Sequence, residues 1–270
     1  MKQRVMVAVV GIPLLLLVVL VLPTAATVLL VSAIAAVGAF ELLRAAGKKV
    51  HKLKLLTIIM AALMPFSCYF FGTTAMLCFA AAFVYALFAV SVHEYGKDSI
   101  PFSDLTTCMV AGMIFPMFLG CIAMLRADPD YGKLFVLTPF FCAFAGDSLA
   151  MFGGMFFGKH KLAPHVSPKK TVEGCVTGLI GSGAGMVLWG LLAERFGGCP
   201  VDQLALIAYG IVGGAVGQLG DLSLSVIKRE TGIKDYGNLL PGHGGVYDRF
   251  DSSMFIAPVY YLLFALKFGG

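Results

Sequence analysis

The sequence predicts an all-α, polytopic transmembrane helical bundle of about nine spanning helices, with its N-terminus in the cytoplasm. Three observations carry that prediction. Of the 270 residues, 59% are hydrophobic and only 13% charged, with a mean hydropathy of +0.90. Soluble domains carry about 25% charged residues, so too little polar material exists here to cover a water-facing surface. The apolar residues fall into runs long enough to cross a bilayer. Lysine and arginine collect in alternate loops between those runs.

Nine runs approach the ~20 residues that a spanning helix needs: 5–22, 24–43, 55–72, 74–93, 105–125, 134–158, 173–193, 203–227 and 249–268. The first follows Lys2 and Arg4 and resembles a signal peptide. It is long, however, and no small-residue cleavage site closes it, so we read it as a span. No long soluble insertion separates the runs. We therefore expect one continuous membrane domain, with N-terminal transmembrane helices over 1–130 and the chemistry-bearing helices and loops over 131–270.

Loop charge sets the expected orientation. Lys2 and Arg4 precede the first run, and Arg44, Lys48, Lys49, Lys52 and Lys54 lie between the second and third. Lys159, Lys161, Lys169 and Lys170 mark another basic loop, and Lys228, Arg229 and Lys234 a further one. The turns at Pro23-Thr24 and Gly72-Thr74 carry no charge, while loops 94–104 and 126–133 are mixed. This alternation places the basic loops in the cytoplasm and the C-terminus outside.

Composition also excludes several classes. A net charge of +5 spread over short loops is not the massed basic face of a nucleic-acid binder. Seven cysteines, an odd number with no C-x-x-C pair, argue against a disulfide framework or zinc site; buried free thiols are the better reading. No Walker A, G-x-G-x-x-G or G-x-S-x-G pattern stands in the required setting. Glycines recur about four apart at Gly174, Gly178, Gly181 and Gly185, and again at Gly210, Gly213, Gly214 and Gly217. Small residues at that spacing let helices approach closely in lipid, so the sixth to eighth runs are expected to form a compact sub-bundle.

Charges within spans are costly and are functional candidates by default. Asp147 lies eleven residues before Gly158, ~16 Å inward, and Asp221 seven before Lys228, ~10 Å inward. Both are reached from the cytoplasmic side, as a polar cavity opening there would allow. The loop 159–173 contains Ser167, Lys169, Lys170 and Thr171, suited to oxyanions, and Pro164 and Pro168 restrict its shape.

Segment 225–251 concentrates Lys228, Arg229, Lys234, Asp235, His243, Asp248, Arg249 and Asp251. Its Pro241-Gly242-His243-Gly244-Gly245 turn allows close backbone approach to a ligand and can aim N–H groups at a phosphate. Asp248 and Asp251, three apart, share a helix face and suit Mg²⁺, a hard cation that takes few protein ligands plus phosphate and water. Asp221 and Ser225 share another face, where Ser225 taken alone reads as a packing hydroxyl. His243 has no second histidine at ligand spacing, which favours a turn-stabilising or phosphate-contacting role.

These residues resemble a known signature. The pattern S-x-hydrophobic-K-R, four residues, K-D, then H-G-G, hydrophobic, x-D-R-x-D is that of the phosphatidate cytidylyltransferase (CDP-diacylglycerol synthase) family. It is met from Ser225 through Lys228-Arg229, Lys234-Asp235, His243-Gly244-Gly245 and Asp248-Arg249 to Asp251. Gly146-Asp147, Ser167-Pro168-Lys169-Lys170-Thr171-x-Glu173-Gly174 and Gly220-Asp221 are similar too. The resemblance covers 140–255; the N-terminal helices match only in being apolar.

The resemblance implies that CTP reacts with phosphatidic acid to give CDP-diacylglycerol and pyrophosphate. It implies one or two Mg²⁺, with room for a monovalent cation such as K⁺, and a homodimer in the cell (inner or plasma) membrane with its active site facing the cytoplasm. Such chemistry rests on positioning and electrostatics rather than covalent catalysis. Asp221, Asp248 and Asp251 are the expected Mg²⁺ ligands, with Asp147 ligating or orienting. Lys169, Lys170, Lys228 and Arg249 are expected on phosphates. Ser167, Ser225, Arg229, Lys234, His243, Gly244 and Gly245 complete the expected substrate contacts, and Asp221, Lys228, Asp248 and Arg249 the catalytic set.

Two rivals share some of these features. A cation-coupled transporter would also bury carboxylates, but it favours broken midplane helices and an internal repeat, and no convincing repeat is present. Another lipid-linked CTP enzyme, such as a polyprenol kinase or an archaeal-type CDP-lipid synthase, would keep the cavity and change the acceptor.

Overall fold

The computed structural model describes residues 11, 13–46, 51–237 and 244–268. The expected all-α membrane architecture is what it shows. The main helices are α1 (Thr24–Ala46), α2 (His51–Glu94), α3 (Phe102–Arg126), α4 (Gly132–Phe157), α5 (Val172–Gly197), α6 (Gln203–Glu230) and α7 (Tyr247–Phe268). One short hairpin, β1 (Lys161–Ala163) with β2 (Ser167–Thr171), interrupts them where the sequence suggested only a loop. Among the described residues six helices, α1 to α6, are long and apolar enough to span a membrane. Of the expected run 5–22, residues 11 and 13–22 are described, with a π-helical turn at Leu17–Val21, and α7 is helical but not one of those six.

The chain divides into two compact units. The first comprises Met1–Ala127 and Thr231–Arg249; the second comprises Asp128–Glu230 and Phe250–Gly270.

In the first unit, α2 is 44 residues long, which would be ~66 Å if straight. That is more than twice the ~30 Å hydrocarbon core. Gly72, at φ 82° and ψ 174°, breaks it. Lys52 Nζ lies 2.5 Å from Glu94 Oε2 and 3.3 Å from Asp98 Oδ2, so the two ends meet and α2 is a helical hairpin. Two of the expected runs, 55–72 and 74–93, are its arms. On α1, Val28, Val31, Ala35, Ala39 and Leu42 form one buried stripe, the i, i+3/i+4 pattern of a packed face. A π-turn over Val110–Ile114 interrupts α3. Arg126 ends α3 and is buried. It donates to Val19 O (2.7 Å), Leu22 O (3.3 Å) and Thr24 Oγ1 (3.2 Å), satisfying carbonyls at the end of the Leu17–Val21 helical turn.

In the second unit, α4, α5 and α6 pack together as the glycine spacing suggested. A Cβ on Gly210 would stand 2.6 Å from the Gly183 Cα and the Ser182 carbonyl, so α5 and α6 touch backbone to backbone. Ser182 Oγ donates to Cys142 O (3.1 Å), and Gln218 Nε2 to Cys175 O (3.1 Å). Farther along, Phe135 stacks on Phe264 at 4.5 Å, and Trp189 Nε1 donates to Leu134 O (3.1 Å). All seven cysteines are free thiols. Cys108, Cys142 and Cys199 are buried, but Cys78 is exposed, so burial accounts for only part of the set.

Candidate active site

The 159–173 segment is shaped by its two ends. Thr171 is the N-cap of α5, its Oγ1 accepting the Gly174 N–H at 3.1 Å. Glu173, in the first turn of α5, reaches back to accept the Lys159 N–H (3.0 Å) and the His160 N–H (3.2 Å), and meets His160 Nδ1 at 2.6 Å. A carboxylate at a helix N-terminus is favoured by the macrodipole, and here it also closes the base of the hairpin. Arg229 Nε, from the end of α6, donates to Val166 O (3.1 Å) in the β-turn. The Ser167-Pro-Lys-Lys-Thr-x-Glu order is thus a strand locked at both ends. Ser167 lies half-buried in it, opposite Ala163.

This strand walls a cavity of about 420 Å³, within the range of small-ligand sites. Asp147 of α4, Lys169, Lys170 and Thr171 of β2, and Gln218 and Asp221 of α6 provide its polar lining. Met151, Met155 and Leu162 provide an apolar side. Lys170 Nζ lies 2.5 Å from Asp221 Oδ2, and Ser225 Oγ donates to Asp221 Oδ1 at 3.4 Å. Asp147, Asp221 and Asp251 feel one another's charge, with Lys170 and Lys228 as compensating cations. Ser225 is buried. Asp251 accepts the Ser252 N–H at 2.8 Å. Gln218 went unnoticed in the sequence, although a long polar side chain inside a span was the available signal.

The other predicted residues belong to the first unit. Asp248 Oδ2 accepts the N–H of Tyr236 (2.8 Å) and of Gly245 (2.9 Å), joining Tyr236 to the residues that lead into α7. Gly244 sits at φ 85°, and a Cβ there would meet the Asp248 carboxylate at 2.9 Å, so only glycine fits. Lys234 and Arg249 are exposed. His243, with Pro241 and Gly242, lies outside the described residues. Two residues of α1 to which sequence reasoning assigned no part in the site hold this segment: Glu41 accepts the Val246 N–H at 2.8 Å, and Arg44, read from the sequence only as a loop charge, donates to Tyr236 O at 2.8 Å. A carboxylate within run 24–43 was a signal in itself.

Among the described residues, no three metal-ligating side chains converge on one point. Mg²⁺ does not require that, since it usually takes one or two carboxylates and completes its shell with phosphates and water. Carboxylates that repel one another beside a cavity of ligand size are a donor set that fits an ion arriving with a nucleotide.

A lipid-embedded helical bundle with lysines and carboxylates around such a cavity defines a membrane protein acting on phosphate-bearing substrates. The chain belongs to the cytidylyltransferase family, whose model matches residues 2–267. The match therefore extends well beyond the 140–255 that the signature covered. A phosphatidate cytidylyltransferase of Bacillus subtilis (strain 168) is 32% identical over 274 residues, spanning 98% of each chain. One from Staphylococcus saprophyticus is 36% identical over 174 residues, 64% of each chain. One from Brucella abortus biovar 1 is 38% identical over 157 residues, 58% of this chain and 56% of the relative.

Proposed function

We propose that the chain transfers the cytidylyl group of CTP to phosphatidic acid, forming CDP-diacylglycerol and pyrophosphate. The observation that carries this reading is the cavity where Lys169, Lys170, Asp147 and Asp221 meet beside an apolar wall. Two polyanions must come together there, and lysines beside carboxylates suit that task.

In the reaction, a phosphate oxygen of phosphatidic acid attacks the α-phosphorus of CTP. The bond from that phosphorus to the bridging oxygen of the β-phosphate breaks, and its electron pair leaves on pyrophosphate. The attacking phosphate is already anionic near neutral pH, so no strong general base is required. Lys169 and Lys170 contact phosphates and offset the negative charge gathering on the leaving group. Ser225 holds Asp221 in place, and Arg229 holds the hairpin that carries both lysines. Lys228 and Arg249 are further phosphate contacts. Ser167, Lys234, His243, Gly244 and Gly245 are assigned to substrate through the family signature.

Asp221 and Asp251 would hold Mg²⁺, with Asp147 supporting; Asp248, three residues before Asp251 on α7, is the remaining candidate. The ion supplies charge neutralisation on the phosphates. A monovalent cation such as K⁺ is compatible with the same carboxylates. Met151, Met155 and Leu162 suit the lipid end of the acceptor, whose acyl tails stay in the bilayer. The positive loops support a cell-membrane protein with this site on the cytoplasmic side, and the family resemblance supports a homodimer.

The test uses purified protein, Mg²⁺, phosphatidic acid and CTP labelled in the cytidine. Lipid-soluble label dependent on phosphatidic acid is expected. A kinase would transfer only the terminal phosphate and leave the cytidine label in water. A transporter would make no labelled lipid. Near-normal activity of Asp221→Asn or Asp248→Asn would overturn the assignment of those residues.

A further inference from the structure

We propose that Glu41 and Arg44 of α1 are positioning residues that clamp the two ends of segment 236–246 and so aim Asp248 and Arg249. The proposal rests on the reading above of those two residues as members of the reactive site.

Glu41 is 3% exposed in a helix whose neighbours are apolar. A carboxylate there is costly unless it is matched. Its hydrogen-bond match is a backbone 205 residues away, the Val246 N–H, which meets Oε2 at 2.8 Å, and the Arg44 charge on the same helix favours the carboxylate too. Val246 directly precedes the first residue of α7. The first N–H groups of a helix have no partner within it, and an anion near them is favoured. Glu41 therefore caps α7 from a different helix. Arg44 stands one turn farther along α1, and its Nη2 donates to Tyr236 O at 2.8 Å. The N–H of the same Tyr236 donates to Asp248 Oδ2. Residues 236 and 246 are thus both fixed from α1.

The described glycines beside these two positions fit this arrangement. A Cβ on Gly237 or Gly245 would collide with the Glu41 carboxylate, so both positions must lack a side chain. Glu41 Oε1, buried and without a hydrogen-bond partner among the described residues, faces that gap. One turn before Glu41, Gly38 leaves room for the Tyr247 ring, which Phe115 meets edge-on at 5.4 Å. Gly38, Glu41 and Arg44, each three residues apart, line one face of α1, and that face is shaped to the start of α7.

The experiment compares full-length wild type with Glu41→Leu, Glu41→Gln and Arg44→Met in detergent. It reads KM and kcat for CTP, and hydrogen exchange of the peptide 236–248 with and without CTP. Glu41→Leu is expected to lose roughly 10- to 100-fold in kcat/KM, with faster exchange confined to 236–248. Glu41→Gln keeps an oxygen for the Val246 N–H and is expected to recover most of both. Arg44 is exposed, so Arg44→Met tests the clamp even if Glu41→Leu does not fold; it too is expected to speed exchange in this peptide. Unchanged exchange in Arg44→Met and in any folded Glu41 variant overturns the proposal. So does a loss that follows the folded fraction alone at constant KM. If wild type transfers no cytidylyl group, the functional reading fails, and the exchange measurements still decide the clamp.

Discussion

Lys170 Nζ and Asp221 Oδ2 stand 2.5 Å apart, joining β2 to α6 at the wall of the cavity. Both side chains keep about a quarter of their surface exposed, 26% and 28%. A pair this accessible can part when a phosphate arrives to take the lysine and a cation to take the carboxylate. We expect Lys170→Met and Asp221→Asn each to lower kcat/KM for CTP by about 100-fold or more. The double variant should lose much less than the product of the two, because the residues act as a unit. Formation of cytidine-labelled lipid is the measurement, and full activity in Lys170→Met would remove it from the phosphate-binding set.

The hairpin form of α2 predicts a topology. Lys52 and Asp98, 3.3 Å apart at its ends, must lie on one side of the membrane, and Thr73, beside the Gly72 break, on the other. Single cysteines at 52, 98 and 73, in a background lacking the seven native cysteines, can be probed in sealed vesicles with an impermeant maleimide. Positions 52 and 98 should react from the same side and position 73 from the opposite one. Labelling of all three from one side would show that the arms do not cross.

How much of this was legible in the sequence differs from element to element. The break in α2 was readable, because Gly72-Thr73-Thr74 interrupts an apolar stretch too long for one span. The cavity residues Asp147, Lys170 and Asp221 were readable too, because a charge inside or flanking a span is expensive enough to demand a reason. The β1–β2 hairpin was not, since two prolines and four lysines over a few residues show no alternation and the strand depends on the Thr171 and Glu173 caps. The role of Glu41 was beyond sequence reading for a different reason. Its partner is a backbone amide 205 residues away, and no periodicity relates the two.

Arg126 offers a stability test away from the cavity. It is 8% exposed, and its guanidinium serves two carbonyls and a hydroxyl at once. Arg126→Met would leave Val19 O and Leu22 O without that donor, at about 1–3 kcal/mol for each group that stays buried. Arg126→Lys should restore only part of the loss, because an ammonium cannot spread donors over three acceptors as a planar fork does. Thermal unfolding in detergent is the check, and a melting temperature unchanged in Arg126→Met would contradict it.

The contact between α5 and α6 gives a prediction in which two neighbouring glycines must behave differently. A Cβ on Gly210 would meet Gly183 Cα and Ser182 O at 2.6 Å and Gly183 N at 2.8 Å, all of them backbone atoms that cannot rotate away. A Cβ on Gly183 would find nothing nearer than 3.7 Å. Gly210→Ala should therefore push the helices apart and cost about 1–3 kcal/mol. Gly183→Ala should be neutral or slightly stabilising, because alanine is the better helix former. Because Gln218 and Asp221 lie farther along the same α6, Gly210→Ala should also lower the activity of the folded fraction, whereas Gly183→Ala should not. Thermal unfolding and activity per folded molecule, measured on both variants, decide it; equal behaviour of the two would mean that α5 and α6 do not meet backbone to backbone at this crossing.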